Sequence, residues 1–235
     1  MRERLRNFPR RVEAAIFDFD ETIIDLERQH TVADDRLCRA MGSRYEDMSE
    51  EFRAASGRRI IDHVREMRST FGWQRSEGDL LAERQKYFDE EIAASADLEL
   101  MAGVRAIVSS LHESGMTLAI TSSAVRSSIE AVLERFGLLG RFAVIVDGSE
   151  VERGKPDPQA YIVTAGRLGV DPPQCVVFED AAVGVRAAKA AGMYCIAVRN
   201  SRAQTFQDLS PADAIVSSFE EIEPAWFVTS SSNSR

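Results

Sequence analysis

The chain contains 235 residues, of which 44% are hydrophobic and 29% are charged, as in a folded globular protein and unlike a disordered or fibrous one. Its formal net charge of −9 argues against a nucleic-acid-binding protein, because such proteins neutralise phosphates with a basic face. No apolar run approaches the roughly 18 residues that cross a bilayer, and no apolar stretch follows the arginines of the first segment. We therefore predict a cytoplasmic protein that does not bind membranes.

The first predicted element is a short buried strand, because an apolar run over residues 14–19 ends among carboxylates. Similar apolar segments recur later in the chain, and helical patterns separate them. Strands that alternate with helices predict an α/β fold with a Rossmann-like, doubly wound parallel sheet covered by helices on both faces. The other predicted strands are 117–121, 143–147, 175–180, 194–198 and the weaker 214–217, and the predicted helices are 104–114, 125–136, 158–168 and 183–191.

Residues 26–97 interrupt this alternation, because they are rich in Arg and Glu and contain no convincing strand. Apolar residues from Ile60 to Met67 recur at helical spacing, which predicts a helix with one buried face. We therefore predict an α-helical insertion of residues 26–97 into an α/β core of residues 1–25 and 98–228. The polar tail of residues 229–235 lacks periodicity and is predicted to be disordered.

In an open parallel sheet, ligands bind beyond the carboxyl ends of the strands, where this chain carries several polar residues. Carboxylates that meet at one edge repel one another and have raised pKa values unless a cation neutralises them. Oxygen ligands without nearby His or Cys favour Mg²⁺. An aspartate nucleophile, a second carboxylate as acid/base, Mg²⁺ and a lysine together suit phosphoryl transfer. The candidate residues at these strand ends are Asp18, Asp20, Thr121, Ser122, Ser123, Asp147, Lys155, Glu179 and Asp180.

Four sequence motifs stand in order at the predicted strand ends. They are Asp18-Phe-Asp-Glu-Thr22, Thr121 closing an apolar strand, Gly154-Lys-Pro-Asp-Pro158 and Phe178-Glu-Asp-Ala-Ala-Val-Gly184. Together they resemble the ordered motifs of the haloacid dehalogenase superfamily. The stretch over residues 154–192 is similar to the branch that contains β-phosphoglucomutase and small sugar-phosphate phosphatases. The resemblance implies an enzyme whose helical insertion is a cap over the active site.

The resemblance also implies a role for each motif residue. Asp18 is expected to attack phosphorus. Asp20 is expected to protonate the leaving oxygen and then to deprotonate the water that hydrolyses the intermediate. Thr121 and Lys155 are expected to hold the transferring phosphoryl oxygens. The implied Mg²⁺ ligands are Asp18, the backbone carbonyl of Asp20, Glu179 and Asp180.

A cap of this kind excludes water and chooses the substrate. His30 lies at the implied cap entrance, where it is expected to contact substrate or to couple cap closure to proton position; a surface or helix-capping role stays open. Glu21 replaces the glycine that the family usually has after the second aspartate, and it adds a charge to the loop that enters the cap. His63 and His112 show no partner spacing and receive no role. The implied substrate-binding residues are His30, Arg58, Arg59, Ser122 and Ser123, with a solvated surface role left open for the two arginines.

The sequence favours a phosphatase over a mutase. A mutase must bind a bisphosphorylated intermediate, and related mutases tend to carry Lys-Asn shortly after the second motif, where this chain reads Ser-Ser-Ala-Val. The cap lysine of the mutases aligns with Gln85, although Lys86 is adjacent, and Arg126, Arg58 or Arg59 could substitute.

We therefore predict a Mg²⁺-dependent phosphatase that hydrolyses a small phosphomonoester, such as a sugar phosphate, through an aspartyl-phosphate. A β-phosphoglucomutase-like phosphosugar mutase is the alternative, and a non-catalytic binding protein with this fold is less favoured. The expected partner is a small phosphorylated metabolite, and a monomer is the default assumption.

Overall fold

The computed structural model describes residues 11–53, 55, 57–199 and 207–227. In this part of the chain, six parallel strands form one sheet, which confirms the predicted α/β fold. The tail predicted to be disordered, residues 229–235, lies outside the described residues. The strands are β1 (Ala14–Phe17), β2 (Thr117–Thr121), β3 (Val144–Val146), β4 (Cys175–Glu179), β5 (Tyr194–Val198) and β6 (Ala214–Val216).

The helices fall into two groups along the chain. One group lies between β1 and β2, and the other alternates with the later strands. No helix in the described ranges is long and apolar enough to cross a membrane. The helices are α1 (Glu27–Ala40), α2 (Glu50–Arg53), α3 (Ile60–Phe71), α4 (Glu77–Ala94), α5 (Val104–Glu113), α6 (Arg126–Arg135), α7 (Gln159–Leu168) and α8 (Ala182–Ala190).

Helices cover both faces of the sheet, and every residue of β1, β4 and β5 is therefore buried. Successive side chains of a strand point to opposite faces. In β1, Ala15 and Phe17 pack with residues of α5 and α6, whereas Ala14 and Ile16 pack with residues of α7 and α8. The apolar run that predicted β1 is thus explained by burial on both sides.

The strand order is β3-β2-β1-β4-β5-β6, so the direction of winding reverses between β1 and β4. Phe17 pairs with Phe178 across this boundary, and the N–H of Asp18 donates to the carbonyl of Phe178 at 2.9 Å. Doubly wound sheets bind ligands at such a switch point. The topology therefore brings the carboxylates that follow β1 next to those at the end of β4.

The helices α1 to α4 with their connecting loops, residues 27–94, are called the cap below. They share a hydrophobic cluster of their own, in which Val64 and Met67 are buried and Ile60 packs at the edge. Phe88 of α4 instead joins the main core under the sheet, so the cap is anchored to it. The residue boundaries predicted for the cap and the core stay a prediction.

Candidate active site

Lys155 lies between two carboxylates at the switch point of the sheet. Its Nζ donates to Oδ1 of Asp18 and to Oε1 of Glu179, each at 2.5 Å, and all three side chains are buried. The register of β1 and β4 places the two carboxylates side by side. Within the described residues, Oδ2 of Asp18 accepts no hydrogen bond. This oxygen is therefore the one available to attack a substrate.

Asp180, which follows β4, adds a third buried carboxylate to this edge. Ligand oxygens of Asp18, Glu179 and Asp180 all lie within 4.8 Å of one another. Oγ1 of Thr22 donates to Oδ1 of Asp180 at 2.8 Å and holds that side chain in place. A donor set made of carboxylate oxygens suits a hard divalent cation such as Mg²⁺. The residues present therefore fit the predicted metal.

The carboxylates of this edge are protonated more easily than usual. Burial raises the pKa of Asp18 to about 8; Lys155 lowers it, and Glu179 and Asp20 raise it further. Burial, followed by repulsion from Glu179 and Asp18, raises the pKa of Asp180 well above its ordinary value. Among the described residues, this group of three buried carboxylates has one ammonium in contact with it, that of Lys155, which pairs with Asp18 and Glu179. A divalent cation would offset the remaining repulsion and favour their ionised forms.

Protein donors already bind both carboxylate oxygens of Glu179. Besides Lys155, the hydroxyl of Tyr161 donates to Oε1 at 2.6 Å. The backbone N–H groups of Asp180 and Ala181 donate to Oε2 at 3.1 and 3.2 Å. These contacts fix the orientation of Glu179 against Lys155. We therefore expect Glu179 to position Lys155 in addition to completing the predicted metal site.

Gly184 and Tyr161 explain how α8 and α7 fit around this carboxylate. A Cβ at position 184 would lie 1.7 Å from Oε1 of Glu179, so a side chain there has no room. Tyr161 was missed by sequence reasoning. An aromatic residue in a helix that packs on the sheet has the pattern of an ordinary core residue, and nothing local marks its hydroxyl.

A cavity of about 300 Å³ lies between the cap and the carboxyl ends of the strands. This volume suits a small metabolite. Both parts of the molecule contribute polar side chains to its wall, so a ligand here contacts core and cap together. The wall includes Asp18, Asp20 and Ser123 from the core, and His30, Arg58 and Arg84 from the cap.

His30 links the cap to Asp20. Its Nε2 lies 3.3 Å from Oδ1 of Asp20, and Nη2 of Arg84 lies 3.0 Å from its Nδ1. Because a guanidinium has no acceptor, Nδ1 must accept this hydrogen bond, and Nε2 carries the proton that faces Asp20. The ring also stacks on Phe88, with the centroids 4.3 Å apart. The substrate contact expected of His30 stays a prediction.

Two further buried cap residues extend this network away from the sheet. Nε of Arg84 donates to Oδ1 of Asp34 at 2.7 Å, and Nε2 of His63 lies 3.0 Å from Oδ2 of the same carboxylate. All three side chains border the cavity. Sequence reasoning missed Arg84 and Asp34 and assigned no role to His63. The three residues lie on α1, α3 and α4, so no local spacing connects them.

Thr121 is buried at the end of β2 and is not among the residues that form the cavity wall. Its Oγ1 lies 2.6 Å from Oγ1 of Thr164, and Thr164 donates to the carbonyl of Ala160 at 2.9 Å. A hydroxyl has one proton, so Thr121 must donate to Thr164. The phosphoryl contact expected of this hydroxyl requires it to turn away from Thr164, and that role stays a prediction.

The two serines after β2 differ in their surroundings. Oγ of Ser122 accepts from the backbone N–H of Ala124 at 3.0 Å, within its own loop. Ser123 borders the cavity, and its Oγ donates to the carbonyl of Gly57 in the cap at 2.9 Å. Ser123 therefore stays a substrate-binding candidate; Ser122 stabilises its own loop, and the substrate contact expected of it stays a prediction.

Residues 57–59, which directly precede α3, are called the cap loop below. Its two arginines also have different partners. Nη1 of Arg59 donates to the carbonyl of Val151 in the core at 2.7 Å, and its other nitrogens bind Asp62. Arg58 borders the cavity, and its Nη2 donates to Glu66 at 2.5 Å. Arg59 thus fastens the cap to the core, and each of its three side-chain nitrogens already donates a hydrogen bond. We keep Arg58, and not Arg59, as a substrate-binding candidate.

Neither position considered for the mutase-type cap lysine belongs to the described cavity wall. Nε2 of Gln85 donates to Oγ of Ser128 at 2.6 Å. The side chain of Lys86 is 70% exposed, with its Nζ 3.9 Å from Glu90. Arg84, which precedes Gln85 in α4, is the residue of this segment that borders the cavity.

Glu21 adds an acidic group to the wall next to Asp20. Its φ of 60° lies in the left-handed region that favours glycine, so a side chain here carries a conformational cost. Burial, together with repulsion from Asp25, Asp20 and Glu27, raises its pKa to about 8. A glycine at this position would have neither the conformational cost of the positive φ nor the cost of a buried carboxylate.

The model of the haloacid dehalogenase-like hydrolase family matches residues 12–192, which include all four motifs and the whole cavity edge of the sheet from β1 to β4. The chain belongs to this family. As a member of this hydrolase family it is an enzyme, which argues against the non-catalytic alternative.

The chain is similar to two named phosphatases and shares its fold with a β-phosphoglucomutase. Validoxylamine A 7'-phosphate phosphatase of Streptomyces hygroscopicus subsp. limoneus is 30% identical over 89% of this chain and 95% of its own length. Hexitol phosphatase A of Escherichia coli is 33% identical over 90% and 94%. The crystal structure of β-phosphoglucomutase from Clostridium difficile has a TM-score of 0.77 at 21% identity, over 90% of this chain and 93% of its own. The last comparison shows the fold alone.

Proposed function

We propose that this enzyme is a Mg²⁺-dependent phosphatase of small phosphomonoesters, with sugar phosphates and related compounds as substrates. One observation carries the proposal: the buried Asp18 carboxylate faces a metabolite-sized cavity while Lys155 and two further carboxylates surround it. The names of two relatives, a phosphatase of validoxylamine A 7'-phosphate and a hexitol phosphatase, support the substrate class. The cytoplasmic location and the monomeric state stay predictions.

The reaction has two steps at phosphorus. Oδ2 of Asp18 attacks, the bond from phosphorus to the ester oxygen breaks, and Asp20 gives its proton to that oxygen. Water then attacks phospho-Asp18 and loses a proton to Asp20. The bond between phosphorus and Asp18 breaks, phosphate leaves, and both carboxyl groups return to their starting forms.

The surroundings of Asp18 stabilise charge on the phosphoryl group. Asp18, Asp180, Glu179 and the backbone carbonyl of Asp20 would hold Mg²⁺, which supplies positive charge to the phosphoryl oxygens. Lys155 supplies a second, fixed positive charge, and burial strengthens its effect. The N–H of His30 faces Oδ1 of Asp20 and orients that carboxyl toward the cavity.

The charges of the cavity favour the phosphatase over the mutase. A mutase needs a second phosphate site, and hence cations with free donors, at the cap end of the cavity. Three arginines belong to the described cavity wall: Arg58 is paired with Glu66, Arg84 is paired with Asp34, and Arg53 is accompanied in the wall by Glu50. Each pair has little net charge to offer a second phosphate dianion. A phosphatase needs only the site at Asp18.

The test is a phosphate-release assay over hexose phosphates, hexitol phosphates, glycerol 3-phosphate and p-nitrophenyl phosphate, with β-glucose 1-phosphate followed separately for isomerisation. We expect release from at least one ester with Mg²⁺, loss of release in excess chelator, and recovery on adding Mg²⁺ back. Asp18→Asn should lower kcat by at least about 10³-fold, because the amide is a poor nucleophile. Asp97→Asn, at an 82% exposed side chain, is the matched control.

Two results would overturn the proposal. Turnover by Asp18→Asn at a wild-type rate would exclude phospho-Asp18 as the intermediate. Isomerisation of β-glucose 1-phosphate that is faster than any phosphate release would establish the mutase instead.

A further inference from the structure

Arg84 is a buried cation of the cap with one donor group left over. Its side chain is 1% exposed, Nε binds Asp34, and Nη2 binds His30. Nη1 is buried and has no hydrogen-bond partner among the described residues. Native proteins pair nearly all of their buried polar groups, so an N–H group in this state calls for an explanation. A ligand that enters from the adjoining cavity supplies one.

The position of Arg84 points to the part of a substrate remote from its phosphate. Arg84 and Asp18 border the same cavity, Arg84 from the cap and Asp18 from the sheet. A phosphoryl group bound at Asp18 and Lys155 therefore directs the rest of its ester toward the cap. Arg84 contacts His30, and His30 contacts Asp20, so hydrogen bonds link this guanidinium of the cap to the acid/base of the core.

The charge around Arg84 limits what Nη1 can bind. Burial opposes ionisation of Asp34, but Arg84 and His63 outweigh it and hold the pKa of Asp34 well below its usual range. The ionised Asp34 neutralises the guanidinium, and the pair as a whole has no net charge. An uncharged oxygen with lone pairs, such as a hydroxyl, matches this environment better than a second phosphate dianion, which would lie close to Asp34.

We propose that Nη1 of Arg84 donates to a hydroxyl oxygen of the substrate, so that Arg84 selects monophosphates of polyhydroxylated compounds. This inference rests on the proposed phosphatase function and narrows its substrate class. Arg84 is a specificity residue that contacts the leaving group, and it takes no part in the bonds that form and break at phosphorus.

The experiment compares two esters with the same enzyme. One is the polyhydroxylated monophosphate that wild type hydrolyses fastest among the hexose, hexitol and glycerol phosphates. The other is n-butyl phosphate, whose leaving group has no further hydroxyl but, as an alkoxide, depends on protonation by Asp20 in the same way as the polyhydroxylated esters. The readout is the ratio of their kcat/KM values, which cancels changes that affect both esters equally.

We expect the ratio to fall by about 10- to 100-fold in Arg84→Lys, which corresponds to one hydrogen bond with a charged donor. Lysine keeps the ion pair with Asp34, but its single nitrogen cannot span the three positions that a guanidinium reaches. The double variant Arg84→Met, Asp34→Asn removes both charges together, and the ratio should fall there as well. Thermal unfolding of each variant confirms that it is folded.

Arg36→Met is the matched control. Arg36 of α1 pairs with Glu90 and Glu91 of α4 at the outer surface, so it ties together the same two helices as the pair of Asp34 and Arg84. Its loss should leave the ratio unchanged.

Three outcomes would overturn the inference while the phosphatase stands. They are an unchanged ratio in both Arg84 variants, a wild-type enzyme that hydrolyses n-butyl or p-nitrophenyl phosphate but no polyhydroxylated monophosphate, and a loss greater for fructose 1,6-bisphosphate than for the monophosphate. The third would assign Arg84 to a second phosphate. If wild type hydrolyses no ester at all, the proposed function itself is wrong, and the inference falls with it.

Discussion

At the scale of single residues, the site is built around one buried ammonium. The chain has three lysines, and Lys155 is the one that lies between Asp18 and Glu179. The two carboxylates raise its pKa and outweigh the opposing effect of burial, so Lys155 stays charged. A compact ammonium suits this place, because it must touch two carboxylates and still leave space for a phosphoryl group.

Replacement of this ammonium should abolish most of the activity. In Lys155→Met, Asp18 and Glu179 lose their shared cation, and the transition state loses a fixed charge. We expect kcat for phosphate release to fall by at least about 10²-fold. Lys86→Met removes an exposed ammonium of the cap and should have no effect. A fall of less than threefold in Lys155→Met would contradict the charge role proposed for Lys155.

Single residues also show where sequence reasoning reached its limit. Asp18 and Lys155 were predicted from their motifs, and the structure brings them together. Thr121 was predicted from its strand end, but the structure directs its hydroxyl to Thr164. The direction of a hydroxyl depends on a helix 43 residues further along the chain, and no motif contains that information.

At the scale of elements, the fit of α8 against β4 holds the carboxylate of Glu179. The helix begins directly after the fourth motif, and Gly184 in its first turns faces Oε1 of Glu179. This contact explains why a residue with poor helix propensity stands inside α8.

A methyl group at this contact should displace Glu179. In Gly184→Ala, the new Cβ would lie 1.7 Å from Oε1, so either the helix or the carboxylate must move. We expect a lower Tm and at least about a tenfold fall in kcat. Gly166→Ala in α7 is the matched control, because no atom lies within 4 Å of its new Cβ. That change should stabilise the fold by about 0.5–1 kcal/mol. Equal effects of the two substitutions on Tm would show that the contact is unimportant.

The cap loop is the second contact between elements that matters for the site. Gly57 accepts from Ser123, and Arg59 donates to the carbonyl of Val151. These two hydrogen bonds join the cap loop to the loops after β2 and β3. The resemblance predicted a cap, and the helical pattern predicted its helices, but which arginine faces the core could not be deduced from two adjacent Arg residues.

At the scale of the whole molecule, acidic groups crowd the space between core and cap. Without a metal, the folded protein holds Asp18 and Glu21 with pKa values of about 8, whereas an unfolded chain has values of about 4. The folded state therefore binds more protons than the unfolded state between about pH 4 and pH 8. By linkage, the free energy of unfolding falls as the pH rises through this window.

Magnesium should reverse this dependence. Because Mg²⁺ binds ionised carboxylates, its affinity rises as these groups lose their protons. We expect chelated protein to have a lower Tm at about pH 8.5 than at about pH 6, and Mg²⁺ to raise Tm more at the higher pH. Thermal unfolding in chelator and in Mg²⁺ at both pH values measures this. Asp180→Asn should remove most of the rise with Mg²⁺, and an equal rise in that variant would show that the ion binds elsewhere.

The sequence by itself determined the α/β fold and the order of the motifs. Buried parallel strands have continuous apolar runs, and parallel connections bring their carboxyl ends to one edge of the sheet, so residues such as Asp18 and Asp180 were predictable as neighbours. Only the tertiary structure decided which groups meet across the cavity. Arg84, Asp34 and His63 lie on three helices of the cap, and Tyr161 reaches Glu179 from α7. Such contacts depend on how helices pack and which way each side chain points, and local spacing specifies neither.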